Sequence, residues 1–380
     1  MAKKSKSLNF INRIIMLANI FAVILLLLSY LSAKFSPEKL WMLAYFGLAY
    51  PIILLVNIAF VFYWIIVNPK SVLISVVAII LGYGYIGKTY QFAGKSLPKK
   101  SEDYIKVMSF NVQLFDLYNY NKDWTFNFTN RDSVFRYLRK EQPDIVCFQE
   151  YFTHDKNIFP TKDSLVKILE TEYYYEYFPI SQSQHNYGIA TFSKFPIVNN
   201  GKVNFNQKSN NSAIFSDVVV PNGDTVRVYN MHLQSIKLSG EDLVFANDIT
   251  KFTDNEITGK ELKKDTKMLL RKLKHAFVKR AKQAEQVKAH MNTSPYKIIA
   301  CGDFNDTPCS YATQLVSKNL KDAFVESGRG IGNSYNGNYP SFRIDYILHD
   351  KSFKSRGFTT DYKMKVSDHF PIYTYIKIES

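Results

Sequence analysis

Six short segments of the chain carry side chains suited to phosphate chemistry. They are Ser109-Phe110-Asn111, Gln149-Glu150, Asn230-Met231-His232-Leu233, Gly302-Asp303-Phe304-Asn305, Arg343-Ile344-Asp345-Tyr346 and Ser367-Asp368-His369-Phe370. Hydrolysing a phosphate ester needs a hard cation to absorb charge on the phosphoryl oxygens. Mg2+ does so with one or two carboxylates while keeping several waters. The reaction also needs a group that orients or deprotonates the attacking water, and donors for the crowded charge of the transition state. Glu150, Asp303, Asp345 and Asp368, with Asn111, Asn305, His232 and His369, supply all three kinds of group. No Cys-rich or multi-His zinc pattern is present, which favours an oxygen-ligand metal.

Each segment ends or follows a run that reads as a strand, and strand ends are where rigid scaffolds present reactive groups. The runs are Ile105–Asn111, Asp144–Gln149, Ile189–Phe192, Ser212–Val220, Thr225–Met231, Lys297–Ala300, Arg343–Leu348 and Ile372–Lys377. Helical spacing through Val134, Tyr137 and Leu138 predicts a helix over Arg131–Gln142, ended by Pro143. Pro221-Asn222-Gly223-Asp224 is a turn between two of the strands. Many strands with interspersed helices imply an α+β or layered architecture. Cys147, Cys301 and Cys309 make no complete disulfide framework. Cys147 and Cys301 sit in apolar runs and read as small core hydrophobes.

The first 90 residues are a different material. Three apolar stretches, about 11–31, 40–67 and 71–88, approach the roughly 20 residues a helix needs to cross the hydrocarbon core. The links between them are too short to hold a domain. Trp41, Tyr63, Trp64, Tyr83 and Tyr85 lie near the ends, where amphipathic rings favour the interface. A basic start and an apolar run also describe a cleaved signal peptide. Leu31-Ser32-Ala33 is a poor cleavage site and two more apolar segments follow, so a retained anchor is expected. Lys3, Lys4, Lys6 and Arg13 favour a cytoplasmic N-terminus, and three crossings then place the remainder on the non-cytoplasmic side. Lys88, Lys95, Lys99 and Lys100 argue the other way. The short spans and basic start suit a bacterial inner membrane. Polar residues 91–103, with Gly94 and Pro98, read as a linker to a domain at 104–380.

Charge separates along the same line. The formal net charge is +15, but residues 1–100 hold eleven Lys or Arg against Glu38 alone and so account for ten of those charges. A protein-wide basic surface for nucleic acid or anionic lipid is therefore not implied. The exception is a helical, basic insertion at about 236–282. Within it, Lys260–Lys282 carries ten Lys or Arg against Glu261 and Asp265, with Met268, Leu269, Leu273, Ala276 and Phe277 as an apolar stripe. That pattern describes either a solvated helix face or one that meets phosphate or lipid headgroups.

In this order, the six segments resemble the endonuclease/exonuclease/phosphatase (DNase I-like) superfamily, which includes DNase I-like nucleases, neutral sphingomyelinases and inositol polyphosphate 5-phosphatases. The resemblance covers about Tyr104 to Ser380. It implies a four-layered α/β sandwich, two β-sheets packed face to face with helices outside. It also implies an Mg2+-dependent phosphoric ester hydrolase in which Mn2+ can substitute. Glu150 would be the principal metal ligand, with Asn111 beside it and Asp368 bearing on the metal. Asp303 would orient or activate the attacking water, and Asn305 and His232 would bind the phosphate. His369 would act in proton transfer, held by Asp345. Apurinic repair nucleases of the superfamily tend to carry Tyr at the position of His232, so the histidine leans away from them. Some DNase-like members buttress that histidine with a carboxylate, where this chain offers Asn186 and Tyr187 and only the distant Glu176.

The expected function is hydrolysis of a phosphodiester at a membrane bilayer. The substrate would be nucleic acid, a phospholipid or sphingolipid headgroup, or an inositol phosphate. The alternative is a catalytically silent phosphate- or lipid-binding module on the same fold. A transporter is disfavoured because the apolar helices hold no intramembrane charge pair.

Overall fold

The computed structural model describes residues 10–98, 103–123, 125–154, 159–182, 184–207, 209–236, 259–337 and 342–379, with the side chains of 259–265 excepted. Residues 237–258 of the basic insertion, the side chains of Lys260, Lys263 and Lys264, and linker residues 99–102 lie outside the described residues.

The N-terminal part contains helices α1 (Phe10–Ser32), α2 (Pro37–Leu48), α3 (Tyr50–Val67), α4 (Val72–Leu81) and α5 (Tyr83–Thr89). Two of them, α1 and α3, are long and apolar enough to cross a membrane. The third stretch is a pair, Pro69–Leu81 and Tyr83–Thr89, bent by 67° at Gly82. The apolar run over 40–67 is thus not one helix. It breaks at Ala49, because Pro51 lacks the N–H a continuing helix would use but fits the first turn of a new one. Inside the bundle Asn19 donates to Ser75 Oγ (2.6 Å) and accepts from Trp64 Nε1 (2.9 Å), while Asn57 donates to the carbonyl of Ala22 (3.1 Å). Satisfied polar contacts of this kind fix how otherwise apolar helices pack on one another.

The remainder runs β1 (Tyr104–Asn111), α6 (Thr129–Glu141), β2 (Ile145–His154), α7 (Thr161–Leu169), β3 (Tyr173–Gln182), β4 (His185–Ser193) and β5 (Ile197–Lys202). It continues through β6 (Ser212–Val219), β7 (Thr225–His232), α8 (Gly259–Met291), β8 (Lys297–Asp303) and α9 (Tyr311–Ser317). It ends with β9 (Leu320–Asp322), α10 (Ala323–Ser327), β10 (Asp345–Asp350), β11 (Lys354–Thr360) and β12 (Ile372–Lys377). The strands form two six-stranded sheets, ordered β11-β12-β1-β2-β4-β3 and β5-β6-β7-β8-β10-β9. Val107, Ile145, Val228, Ile299, Ile347 and Ile372, with Cys147 and Cys301, fill the space between them. Both cysteines are fully buried, as core hydrophobes should be. On the outer faces, Val134, Leu138 and Leu165 of α6 and α7 cover the first sheet, and Ala284, Val287 and Ala312 of α8 and α9 cover the second. The result is the expected four-layered sandwich.

Register decides what the sandwich presents. β1 and β2 are parallel with Asn111 opposite Gln149, and β7 and β8 are parallel with His232 opposite Asp303. Parallel neighbours end at the same rim, so these four residues share one edge. β10 runs antiparallel to β8 with Asp345 opposite Asp303, and β12 runs antiparallel to β1 with Ile372 opposite Ser109. The start of β10 and the residues before β12 therefore reach that edge too.

The helical part docks directly on the sandwich. Ser32 Oγ donates to the carbonyl of Cys309 (2.7 Å), and Thr307 Oγ1 donates to that of Gly47 (3.2 Å). A Cβ at Gly47 would lie 2.7 Å from the Cys309 carbonyl oxygen, so only glycine permits this approach. Cys309 is fully buried in a cluster with Leu26, Tyr30, Tyr50, Ile53 and Leu54. The segment read as a linker is docked as well: Gln91 and Gly330 exchange backbone hydrogen bonds at 2.8 Å, and Gly357 N donates to Lys95 O at 2.7 Å.

Candidate active site

The eight residues singled out in the sequence meet at the common rim. Asp303 closes β8 and is buried (1% exposed). Its Oδ1 accepts the backbone N–H of Asn305 (2.8 Å), and its Oδ2 accepts Asn305 Nδ2 (2.9 Å) and Asn111 Nδ2 (3.1 Å). Asn305 holds this geometry with φ +54°, a left-handed conformation that Asn tolerates better than most residues. His369 Nδ1 is 2.8 Å from Asp345 Oδ2, and its Nε2 lies 3.7 Å from Asp303 Oδ2. His232 Nε2 lies 3.7 Å from both Asp303 Oδ2 and Glu150 Oε1 and has no hydrogen-bond partner among the described residues. Asp368 is half-buried beside them, its N–H donating to Gln113 Oε1 (3.2 Å).

Backbone irregularities aim these groups. The β2–β4 register slips between Phe148 and Tyr151, and Glu150 at the slip has φ +47°. A bulge of this kind turns one side chain out of the strand's alternation. Gly302 has φ +143°, and a Cβ there would sit 1.9 Å from the Met231 carbonyl oxygen. We expect Gly302→Ala to cost at least about 1–3 kcal/mol of stability through backbone strain alone. Because Gly302 pairs with Met231 beside the His232–Asp303 pair, turnover should fall with stability. Denaturant unfolding and an activity assay on the same preparation check both.

Electrostatics sorts the roles. Burial pushes the Asp303 carboxyl up to about 6, helped by Asp345 and opposed by His369 and His232. For His369, burial disfavours the charged form but Asp345 and Asp303 overcome it, so the imidazole is held well above its ordinary value. For His232, burial wins over Asp303 and the imidazole is shifted down. One histidine is thereby set up as a cation and the other as a neutral ring. Burial and then the charge of Asp368 raise Glu150.

Two places in this cluster have metal-ligand chemistry. Asp303, Asp345 and His369 place one ligand atom each within 4.8 Å of one another. Within that triplet His369 Nδ1 is taken by Asp345 and Asp303 by both asparagines, while Asp345 Oδ1 is buried with no partner among the described residues. Glu150 is the open end. Its side chain is 36% exposed, it receives only a 3.4 Å contact from Asn111 Nδ2, and its ion-pairing partner among the described residues is His232. Two carboxylates, Glu150 and Asp368, that repel each other fit a hard divalent cation.

Several supporting residues were assigned no role from the sequence. Asn230 spans the two sheets, accepting from Gln149 Nε2 (2.7 Å) and donating to the carbonyls of Phe148 and Ala190. Ser334 Oγ accepts the backbone N–H groups of Ile344 and Asp345, and Ser367 Oγ bonds the carbonyl of Asn111 (2.8 Å). Gln113 to Asp116 all have φ between 45° and 58°, a left-handed turn directly behind Asn111 that buried Phe115 locks. Glu176 stands on β3 opposite Ala190 and beside Tyr151, so it is not the partner of His232. Arg343 pairs with Asp322 (2.8 Å) rather than entering the cluster.

Comparison with known proteins agrees with this geometry. The endonuclease/exonuclease/phosphatase family matches residues 108–369, and a domain of unknown function (DUF8431) matches residues 12–89. No curated protein matches the chain. Among solved structures, an endonuclease/exonuclease/phosphatase from Beutenbergia cavernae is 15% identical, with 73% of this chain and 72% of that one covered at a TM-score of 0.51. The human Nocturnin catalytic domain is 15% identical over 76% of this chain and 97% of its own, at 0.49. The Bacteroides thetaiotaomicron mannosyl-6-phosphatase is 15% identical over 72% and 100%, at 0.47. A family match spanning more than half of the chain, on a sandwich whose central strands end in this cluster, means that the chain belongs to the endonuclease/exonuclease/phosphatase family.

Proposed function

We propose that the protein is a membrane-anchored, Mg2+-dependent phosphodiesterase, with residues 1–90 as anchor, 91–103 as linker and 104–380 as catalytic domain. The observation that carries this reading is the Asp345–His369–Asp303 relay facing His232 and Glu150 across one rim. Glu150, with Asn111 and Asp368, would hold the divalent cation, which when bound neutralises charge on the phosphoryl oxygens. Asp303, fixed by Asn305 and Asn111, orients the attacking water toward phosphorus and takes up the proton the water releases as it attacks. As the water's oxygen bonds to phosphorus and the bond to the leaving oxygen breaks, charge grows on the phosphoryl group. Neutral His232 donates to that charge, and the Asn305 amide joins it by exchanging its bond to the Leu233 carbonyl for one to the phosphate. His369, kept protonated by Asp345, is the source of the proton the leaving oxygen takes up. A silent binding module would have no need for all eight residues in mutually supporting contact.

The tether favours a lipid headgroup over nucleic acid as substrate. Cys309 is packed among α1, α3 and the residues between them, only four residues beyond Asn305. Four residues span at most about 14 Å, so the reacting centre lies at the membrane surface if α1 and α3 cross. The assay is hydrolysis by the full chain in vesicles, with sphingomyelin, phosphatidylinositol phosphates, DNA, RNA and bis-p-nitrophenyl phosphate offered in turn. EDTA should abolish turnover and Mg2+ or Mn2+ should restore it. Glu150→Gln should raise the Mg2+ needed for half-activation by at least about 10-fold, the lower end of what even an outer-shell partner contributes. Asp345→Asn should lower kcat without moving that concentration. Turnover indifferent to EDTA would end the metal assignment.

A further inference from the structure

We propose that the cavity between α8 and the loop after β7 is a second, non-catalytic site that takes the headgroup of an anionic phospholipid. This rests on the reading that α1 and α3 cross a bilayer. The cavity has a volume of about 730 Å³, and among the described residues its lining contains no carboxylate. Arg271, Lys272, Lys274 and Lys279 contribute four cations, while Ile236, Met268, Ala276 and Val278 contribute apolar surface. An amphipathic cavity of this kind matches a phosphate that is attached to something apolar.

Its position identifies the source of that phosphate. α2 joins the ends of two antiparallel spans, so it lies at the level where those spans leave the bilayer. α8 packs on α2: Tyr45 Oη donates to the carbonyl of Leu270 (2.6 Å), Lys274 sits 4.3 Å over the Trp41 ring, and Lys282 pairs with Glu38 (2.9 Å). The wall of the cavity is therefore bound to the element at the membrane surface. Met268 and Leu270 on α8 and Leu40 and Met42 on α2 are exposed large apolar side chains on these two helices. Cations flanking exposed apolar residues at that height are placed for an anionic leaflet, with each Lys or Arg near such a surface contributing about 1 kcal/mol. A free soluble anion would use the cations but leave the apolar residues unexplained.

The test uses the full chain in phosphatidylcholine vesicles containing a photoactivatable phosphatidylglycerol, with the crosslinked peptide identified by mass spectrometry. Crosslinking should map to α8. It should need on the order of 10²-fold more phosphatidylglycerol in the triple variant Arg271→Gln, Lys274→Gln, Lys279→Gln, three charges' worth of surface attraction. These residues are not placed in the catalytic cluster, and heat unfolding of the variant checks that it is folded. Equal crosslinking in the variant would overturn the proposal. So would competition by soluble glycerophosphoglycerol at the lipid's own concentration, which would make the ligand a free phosphate ester. Competition by an RNA oligonucleotide at low concentration would likewise overturn it, making α8 a nucleic-acid surface. Asp303→Asn, silent in turnover, should crosslink like the parent, so failure of the catalytic reading and failure of this site are seen separately.

Discussion

Asp303→Asn in the full-length protein is expected to lower kcat by at least about 10²-fold, the low end of one general acid–base contribution. The substitution keeps size and shape and removes only the charge and two acceptor sites. Asp303 receives three N–H donors, two from Asn305 and one from Asn111, and lies 3.7 Å from each of two imidazoles. An amide cannot accept on both of its atoms, so at least one of those donors is left facing an NH2 group. The attacking water then loses its acceptor, and the charge that helps keep His369 protonated is gone. Binding of the phosphate through His232 should survive, so KM should move far less than kcat. The variant is assayed with bis-p-nitrophenyl phosphate at saturating Mg2+, beside His369→Ala, which should fall by a similar factor. Because the two residues act as a unit, the double variant should be little worse than either alone. A near-parental rate for either single variant would remove the relay from the mechanism.

The grouping of the candidate site residues was legible in the sequence because strand ends punctuate it. Four motifs terminate apolar runs, two parallel pairs bring those ends to one rim, and the other two motifs lead into β10 and β12 at the same rim. The central strands were legible for the same reason: β1, β2, β7, β8 and β12 read as buried apolar runs. The edge strands were not. β3 contains Pro179, which edge strands accept at irregular register, and its pairing with β4 slips between Tyr177 and Ile180. β11 is short of apolar residues and bulges between Arg356 and Thr359. Contacts that depend on tertiary distance were also out of reach. Nothing local to Ser334 announces a hydroxyl under Asp345, and nothing in Asn230 announces a bridge between sheets. The break at Ala49 was visible as Pro51 but was masked by the uninterrupted hydropathy of the 40–67 run. The charge count and apolar stripe of the basic helix also hid a cation that, among its described residues, turns inward.

That cation is Arg280, and its loss should be the most damaging change outside the catalytic cluster. Arg280 is 1% exposed, and its Nη1 lies 2.8 Å from Asp306 Oδ2 while its Nε donates to the carbonyl of Gln234 (2.9 Å). Asp306 follows Asn305, and Gln234 is two residues past His232. One guanidinium therefore ties together the two loops that carry the phosphate-facing donors. Arg280→Met fills similar space but strands the Asp306 carboxylate, whose remaining side-chain bond is with Thr307 N (3.0 Å). Breaking one side of a buried pair costs about 3–5 kcal/mol, which corresponds to a fall of roughly 10 °C in Tm for a domain of this size. Adding Asp306→Leu removes the stranded charge and should restore most of the stability, since an apolar replacement of a buried pair is often neutral. Activity should not return with it. The 306–310 segment would then keep its contacts to the N-terminal helices, through Thr307 to Gly47 and Cys309 to Ser32, and to Tyr346 and Gln314, but would lose the Arg280 clamp that ties Asp306 to Gln234. Heat unfolding and kcat measured on the parent, the single variant and the double variant separate the two effects. If kcat recovers together with Tm, Arg280 contributes stability alone, and the placement of Asn305 and His232 must come from the sheet.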